Sequence, residues 1–152
     1  TVAYMRKKVP DIALTTDIIV GFPGETEEDF EETLNILRKV KYDMIYSFIY
    51  SPRKGTPAAE MDCQISEEIK NSRFTKLLET QNQISAEVNK KYQDKIVTVL
   101  CDGMSKNDDN FYSGRTEGNK IVFFKGDERD IGKFIDIKIE KTEAFALYGN
   151  KI

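Results

Sequence analysis

The chain has 152 residues, of which 39% are apolar and 11% aromatic, enough for a hydrophobic core in one or two small domains. Its 23 Lys and Arg residues against 26 Asp and Glu residues give a net charge of −3, so the overall charge provides no argument for nucleic-acid binding. The absence of histidine from the sequence excludes catalytic mechanisms and metal sites that depend on imidazole.

The two cysteines, Cys63 and Cys101, form no CxxC or CxxxCxxC group. We therefore do not expect this chain alone to ligate an iron–sulfur cluster or a four-cysteine zinc ion. A chain without a disulfide framework suits a reducing, cytoplasmic compartment. No apolar run of the sequence approaches the length of a membrane span.

The first patterned segment predicts a strand followed by a helix. Residues 18–20 are three consecutive β-branched residues, which is typical of a strand covered on both faces, as in a parallel α/β sheet. Thr26 stands where a helix N-cap belongs, and acidic residues at 27–29 fill the first turn. Apolar residues then recur at helical spacing as far as Val40.

The turn between this strand and helix contains Gly21, Pro23 and Gly24. The glycines permit positive φ or close approach to a ligand, and the turn lies at the carboxyl end of a strand, where α/β proteins bind ligands. Its spacing matches neither the Walker P-loop nor the dinucleotide fingerprint. The residues alone therefore leave two interpretations open: a tight connection or a ligand-binding loop.

Residues 44–50 predict a second strand, which completes a βαβ unit and places its carboxyl end beside that of the first strand. The following loop, residues 51–61, carries Arg53 and Lys54 and is either a solvated surface loop or a second ligand loop. Ser66 then predicts the start of a long helix with a buried apolar stripe. That stripe comprises Ile69, Phe74, Leu77, Leu78, Ile84, Val88 and Tyr92.

From residue 93 onward, short alternating segments predict five strands of a small, OB-like β-barrel, at residues 96–101, 110–115, 121–125, 133–141 and 144–149. This part has ten Lys and Arg residues against eleven Asp and Glu residues, a balance of −1 that does not favour RNA binding. The loop at residues 113–120 nevertheless places Arg115 and Lys120 among aromatic residues. Such a loop suits phosphate binding and base stacking, although aromatics alternating in strands also fill barrel cores.

Three ordered motifs resemble those of the radical S-adenosylmethionine methylthiotransferases. They are Asp17-Ile-Ile-Val-Gly-Phe-Pro-Gly-Glu-Thr26, Phe48-Ile-Tyr-Ser-Pro-Arg-Lys-Gly-Thr-Pro-Ala-Ala59 and Ser113-Gly-Arg-Thr-x-x-Asn-Lys120. The resemblance covers essentially the whole chain. It implies that residues 1–92 are the last part of a TIM-like α/β radical SAM barrel. It also implies that residues 93–152 are a TRAM domain, a small all-β barrel associated with RNA binding.

Within this family, residues 48–53 and 133–150 look most like the MiaB-type enzymes, which methylthiolate the isopentenylated adenosine beside the tRNA anticodon. Paralogues that act on threonylcarbamoyladenosine tRNA or on a ribosomal protein share the Gly-Phe-Pro-Gly-Glu motif, so this motif identifies the family and not the substrate. The resemblance implies S-adenosylmethionine and two [4Fe–4S] clusters in a longer parent. The cluster motif CxxxCxxC is absent from this chain, which is therefore expected to be inactive and free of cofactor by itself, with no catalytic or metal-ligating residue.

The resemblance also assigns site residues. The implied contacts to S-adenosylmethionine are Val20, Gly21, Gly24, Ile49, Tyr50, Ser51 and Arg53. The implied contacts to RNA are Arg115, Thr116, Asn119 and Lys120. The expected partners are a tRNA anticodon stem-loop and, through sheet edges left open in a partial barrel, a second copy of the chain; no membrane is expected. Two alternatives are a catalytically silent RNA-binding fragment and a non-enzymatic structural protein.

Overall fold

A computed structural model describes residues 1–106 and 110–152 of the chain. The chain divides into two compact units, one formed by residues 14–84 and the other by residues 1–13 together with 85–152. The domain boundary expected between residues 92 and 93 stays a prediction. Within the described residues, no helix is both long enough and apolar enough to cross a membrane.

The chain contains three α-helices and seven strands among its described residues. The helices are α1 (Val2–Lys8), α2 (Glu27–Val40) and α3 (Glu67–Asn89). The strands are β1 (Thr15–Val20), β2 (Met44–Ile49), β3 (Ile96–Met104), β4 (Tyr112–Thr116), β5 (Ile121–Phe124), β6 (Phe134–Thr142) and β7 (Leu147–Lys151).

In the unit of residues 14–84, β1, α2 and β2 form the predicted βαβ arrangement. The two strands pair in parallel, from Thr15 opposite Met44 to Val20 opposite Ile49. One face of this pair is open: Ile19 and Phe48 lie opposite each other and are 53% and 54% exposed. The expectation that both faces of β1 are covered is therefore wrong for the described residues, because the Ile19 side chain on this face is half exposed.

Helix α2 begins where the sequence predicts. The Thr26 hydroxyl accepts a hydrogen bond from the Asp29 amide, and the Asp29 carboxylate accepts one from the Thr26 amide, which completes a capping box. The hydrogen bond from the Thr26 amide, and after it the one that the Thr26 hydroxyl donates to the same carboxylate, hold the pKa of Asp29 below its ordinary value. The helix ends at Lys41, whose left-handed φ of 52° stops the helical hydrogen-bonding pattern.

Helix α3 buries a different stripe from the one predicted. Leu77 and Ile84 are buried as expected, but Ile69 and Leu78 are exposed. The buried positions are instead mostly polar: Lys70, Arg73, Gln81, Ser85 and Asn89. Apolar residues alone do not predict the buried stripe here, because long polar side chains bury their aliphatic stems while their polar end groups form hydrogen bonds or ion pairs. At the end of α3, the Asn89 side-chain amide donates to the carbonyl oxygens of Glu143 and Ala144, at 2.7 and 3.1 Å.

The predicted small barrel is confirmed. Five strands close in the order β3-β4-β5-β7-β6, and all pairs are antiparallel except β5 with β7. Its core is built by alternate residues of these strands, namely Val99, Cys101, Tyr112, Val122, Phe124, Ile135, Ile137, Ile139 and Leu147. Burial raises the pKa of the Cys101 thiol, which therefore stays protonated and apolar in character. A side chain at Gly149 in β7 would overlap the Lys138 carbonyl oxygen in β6, so the close approach of these two paired strands requires glycine.

Candidate functional site

The loop after β1 is closed on itself by hydrogen bonds. Gly21 and Gly24 adopt positive φ values of 74° and 85°, as the sequence predicts. The Gly21 amide donates to the Glu25 carboxylate at 2.9 Å, and the Gly24 amide donates to the Cys63 carbonyl oxygen at 2.9 Å. Both glycine amides are thus used within the protein rather than directed to a ligand.

Arg73 of α3 fixes this loop from one side. Its Nη1 donates to the Glu25 carbonyl oxygen at 3.0 Å and to the Glu25 carboxylate at 2.7 Å, and its Nη2 lies 3.3 Å from the Glu27 carboxylate. The Arg73 and Glu25 side chains are only 8% and 11% exposed. A buried charge with this many partners is costly to disrupt, because removing one member leaves the other without compensation.

Lys70 of α3 explains why residue 21 is glycine. A Cβ atom at Gly21 would overlap Cγ of Lys70 and lie 3.1 Å from its Cδ. The Lys70 ammonium pairs with Glu67 at 2.9 Å and lies 5.5 Å from the centre of the Tyr50 ring. The sequence suggested that glycine leaves room for a cofactor; the structure gives another cause, because the buried Lys70 stem fills this space.

The carboxyl end of β2 lies beside the same loop. The Tyr50 amide donates to the Val20 carbonyl oxygen at 2.9 Å, and the Tyr50 ring meets Phe22 edge to face at 5.2 Å. The Tyr50 hydroxyl is buried and has no hydrogen-bond partner among the described residues. Because most buried hydroxyls are paired, this atom marks a position where a ligand group could bind.

The structure brings together part of the predicted cofactor set. Val20, Gly21, Ile49 and Tyr50 meet at the ends of the parallel strands, although the Val20 side chain is fully buried. Gly24 follows in the same loop. Ser51 and Arg53 are exposed, and the Arg53 carbonyl oxygen accepts hydrogen bonds from Thr56. The assignment of these seven residues to S-adenosylmethionine stays a prediction.

Sequence reasoning missed Lys70, Arg73 and Cys63 as supports of the loop. Lys70 and Arg73 share one face of α3 with Leu77, at spacings of three and four residues. That periodicity is the signal that could have identified them, had charged residues been admitted to a buried stripe. The Cys63 contact uses a backbone carbonyl oxygen, which no residue pattern reveals.

The predicted RNA-binding residues form the tight turn between β4 and β5. The Thr116 amide donates to the Lys120 carbonyl oxygen at 3.0 Å, and the Lys120 amide donates to the Thr116 hydroxyl at 3.1 Å. Asn119 has a left-handed φ of 61° and its side-chain oxygen accepts from Arg115 Nη1 at 3.0 Å. Thr116 and Asn119 therefore have a structural role in the turn.

The two cations of this set differ in access. Arg115 is exposed, and its Nε lies 3.4 Å from the Asp102 carboxylate. Lys120 is buried, with a residue exposure of 9%, and its assignment to RNA stays a prediction. Arg115 is thus the accessible cation of the predicted set, and its binding to RNA stays a prediction. No group of three or more Cys, Asp or Glu residues that could hold a metal ion occurs in the part of the chain that the structure describes.

Comparison with known proteins gives two consistent findings. Residues 90–152 match the TRAM domain family. The chain is 54% identical over 149 residues to the tRNA-2-methylthio-N(6)-dimethylallyladenosine synthase of Acetivibrio thermocellus, an alignment that covers 98% of the chain and 31% of that protein. The proteins of the same name from Clostridium botulinum and Clostridium tetani are each 52% identical, over 99% and 97% of the chain and 34% and 33% of their own lengths.

The chain spans about a third of the length of these curated relatives. The similarity extends through both units of the structure, including the loop after β1 and the barrel. The resemblance drawn from the three motifs is thereby confirmed. The chain therefore matches, over nearly its whole length, about a third of proteins named tRNA-2-methylthio-N(6)-dimethylallyladenosine synthase, and its residues 90–152 match the TRAM domain family.

Proposed function

We propose that this chain is part of a tRNA methylthiotransferase that adds a 2-methylthio group to the isopentenylated adenosine next to the anticodon. The single observation that carries the proposal is the identity of 54% over 98% of the chain to a synthase of that name. In this proposal residues 1–92 are the last part of the radical SAM barrel, and the TRAM domain binds the tRNA. The anticodon stem-loop is the proposed partner.

The parallel pair β1 and β2 supports the first part of this proposal. Its loop lies at the carboxyl ends of the strands, where α/β barrels bind ligands. The half-buried Ile49 and the unpaired Tyr50 hydroxyl fit one edge of an adenine, which needs both apolar surface and a polar partner. When bound, S-adenosylmethionine and the iron–sulfur clusters supply the radical chemistry, and the protein supplies orientation.

The residues of this chain have supporting roles in that chemistry. Ile49 and Tyr50 would hold the cofactor, and Ser51 and Arg53 are exposed for contact with cofactor or tRNA. Arg73 and Glu25 keep the loop after β1 in one conformation. The clusters are proposed to be held by other parts of the parent protein, so the 152-residue chain alone is expected not to cleave S-adenosylmethionine. Self-association through the strand edges of β1 and β2 stays part of the proposal.

A chimera tests the proposed function. The chain replaces the matching segment of the Acetivibrio thermocellus synthase, and mass spectrometry of tRNA nucleosides measures the 2-methylthio product. We expect product at the isopentenylated adenosine, and less product when the chimera carries Tyr50→Ala. The matched control is Tyr46→Ala, an exposed tyrosine of β2, the strand that ends at the residue before Tyr50.

Three results would contradict parts of the proposal. A folded chimera without product would contradict the assignment to this enzyme class. Product found only on threonylcarbamoyladenosine would favour the paralogue as the alternative function. Formation of 5′-deoxyadenosine by the 152-residue chain alone, after anaerobic reconstitution with iron and sulfide, would contradict its inactivity.

A further inference from the structure

The barrel carries an open groove on its outer wall, which shares Arg115 with the turn that the sequence singled out and extends beyond it. The groove has a volume of about 440 Å³, and its wall includes Asp102, Met104, Lys106, Arg115, Ile121 and Phe123. A volume of this size lies in the range of about 300–1,000 Å³ typical of small-ligand sites. It is therefore on the scale of a nucleotide rather than of a duplex.

Strand register places the groove residues on the outside of the barrel. Ser113 pairs with Phe123, and Arg115 pairs with Ile121, across β4 and β5. The residues that alternate with them along the two strands, Tyr112, Gly114, Val122 and Phe124, are buried in the barrel. Since neighbouring residues of a strand point to opposite faces, the groove side chains share the outer face. β4 and β5 form two sides of the groove, and β3 forms the third at its register shift between Cys101 and Gly103.

The charges of the described groove residues favour an anion. Among the described residues that line the groove, Arg115 and Lys106 stand against one carboxylate, that of Asp102, which gives this set an excess of one positive charge. Arg115 and Asp102 are each 46% exposed, so their 3.4 Å ion pair is open to solvent and weak. The contacts of Arg115 to Asp102 and Asn119 use Nε and Nη1, and a guanidinium has five N–H donors. Arg115 thus keeps donors for a phosphate.

Phe123 of the groove wall belongs to an aromatic pair. Phe123 is half-buried, and its ring centre lies 5.5 Å from that of Tyr148, with 31° between the ring planes. Burial, followed by the nearby Glu143 carboxylate, raises the pKa of Tyr148, so its phenol stays neutral. Lys141 lies 5.4 Å from the Tyr148 ring centre and pairs with Glu143 at 2.5 Å. Aromatic faces beside cations can stack bases of any sequence.

We propose that this groove binds a short single-stranded RNA segment, with one base against Phe123 and its phosphate at Arg115 and Lys106. This inference rests on the proposed function, in which the TRAM domain binds tRNA, and it moves the contact from the β4–β5 turn to the groove. A cation pair alone would suit an acidic peptide equally well. The aromatic pair at the groove favours RNA, because bases stack and acidic side chains do not.

Fluorescence anisotropy of labelled RNA with the 152-residue chain tests this site. The probes are a hexaadenylate and a matched oligomer of six abasic ribose phosphates. Phe123→Leu should weaken hexaadenylate binding about five- to hundredfold and leave the abasic oligomer unaffected, because it removes stacking while keeping apolar volume. Arg115→Gln should weaken both probes and reduce the log–log salt slope by about 0.7. Asp102→Asn should tighten both, since it removes the carboxylate that competes with phosphate.

Lys138→Gln is the matched control, with the same loss of charge on the same barrel. Lys138 is exposed and pairs with Ile96, six residues along β3 from Asp102, or roughly 20 Å at about 3.3 Å per residue. Circular dichroism checks that each variant is folded. If Phe123→Leu does not fold, the binding and salt slope of Arg115→Gln still test the groove, because Arg115 is exposed.

The outcomes separate this inference from the function on which it rests. If the unsubstituted chain binds hexaadenylate but Phe123→Leu and Arg115→Gln match Lys138→Gln, RNA binding stands and the groove is not its site. If the unsubstituted chain binds neither probe, both the groove and RNA binding by this TRAM domain are overturned. If a polyglutamate peptide binds, and this binding is lost in Arg115→Gln but unchanged in Phe123→Leu, the groove is a site for acidic peptides and the RNA proposal fails.

Discussion

Replacing Gly21 with alanine should destabilise the unit of residues 14–84 by about 2–5 kcal/mol. Two costs add in this estimate. A non-glycine residue at the observed φ of 74° costs about 1–2 kcal/mol. Forcing the new methyl group against the buried Lys70 stem costs about 1–3 kcal/mol more, as in other overpacked sites.

Gly24→Ala is the matched control for this prediction. Gly24 lies in the same loop and has a φ of 85°, but its nearest neighbour, the Cys63 sulfur, would be 3.4 Å from the new methyl group. That distance is an ordinary contact, so only the backbone cost of about 1–2 kcal/mol should remain. The difference between the two variants isolates the clash with Lys70.

Hydrogen–deuterium exchange with mass spectrometry is the suitable measurement, because it reports on residues 14–84 separately from the barrel. Each 1.4 kcal/mol corresponds to a tenfold change in protection, so Gly21→Ala should lower protection in α2 by about 30-fold to a few thousandfold. A Lys70→Ala substitution in the same chain should recover part of this loss, with a coupling of about 1–3 kcal/mol. Equal losses in Gly21→Ala and Gly24→Ala, or no coupling to Lys70, would refute the reasoning.

Three further predictions concern polar contacts. Arg73→Met should lower the free energy of unfolding by about 3–5 kcal/mol, because it leaves the buried Glu25 carboxylate uncompensated. Adding Glu25→Gln should reduce that loss, and chemical denaturation measures both variants. An equal loss with and without Glu25→Gln would contradict this explanation. Asn89→Ala should lower the free energy of unfolding by about 1–3 kcal/mol for each carbonyl oxygen left without its donor. Thermal unfolding at the same temperature as in the unsubstituted chain would show that water replaces the amide. The Arg129 side chain and amide lower the pKa of Asp127 to about 2, so this carboxylate should titrate at about 2 by carboxyl carbon NMR, and Arg129→Ala should raise its midpoint toward the ordinary value of 3.8. Since the folded pKa is depressed, its contribution to stability is present above pH 4 and is lost as the pH falls toward 2; a midpoint unmoved by Arg129→Ala would contradict this account.

The sequence alone determined the local elements of this protein. The helix N-cap at Thr26 could be predicted because a hydroxyl at this position satisfies a free helix amide by a local contact only. The five barrel strands could be predicted because alternation of apolar and polar residues has the period of a strand. The glycine turn and the family resemblance also depend on short, contiguous motifs.

Only the tertiary structure decided which polar side chains are buried and which are exposed. Arg73 is buried because the loop after β1 supplies partners from residues more than 40 positions away, and the Lys70 stem is buried against Gly21 of the same loop. Lys120 is buried although it stands beside an exposed turn. The groove at Arg115 and Phe123 depends on the register of three strands. These features follow from long-range packing, which residue type and local spacing do not encode.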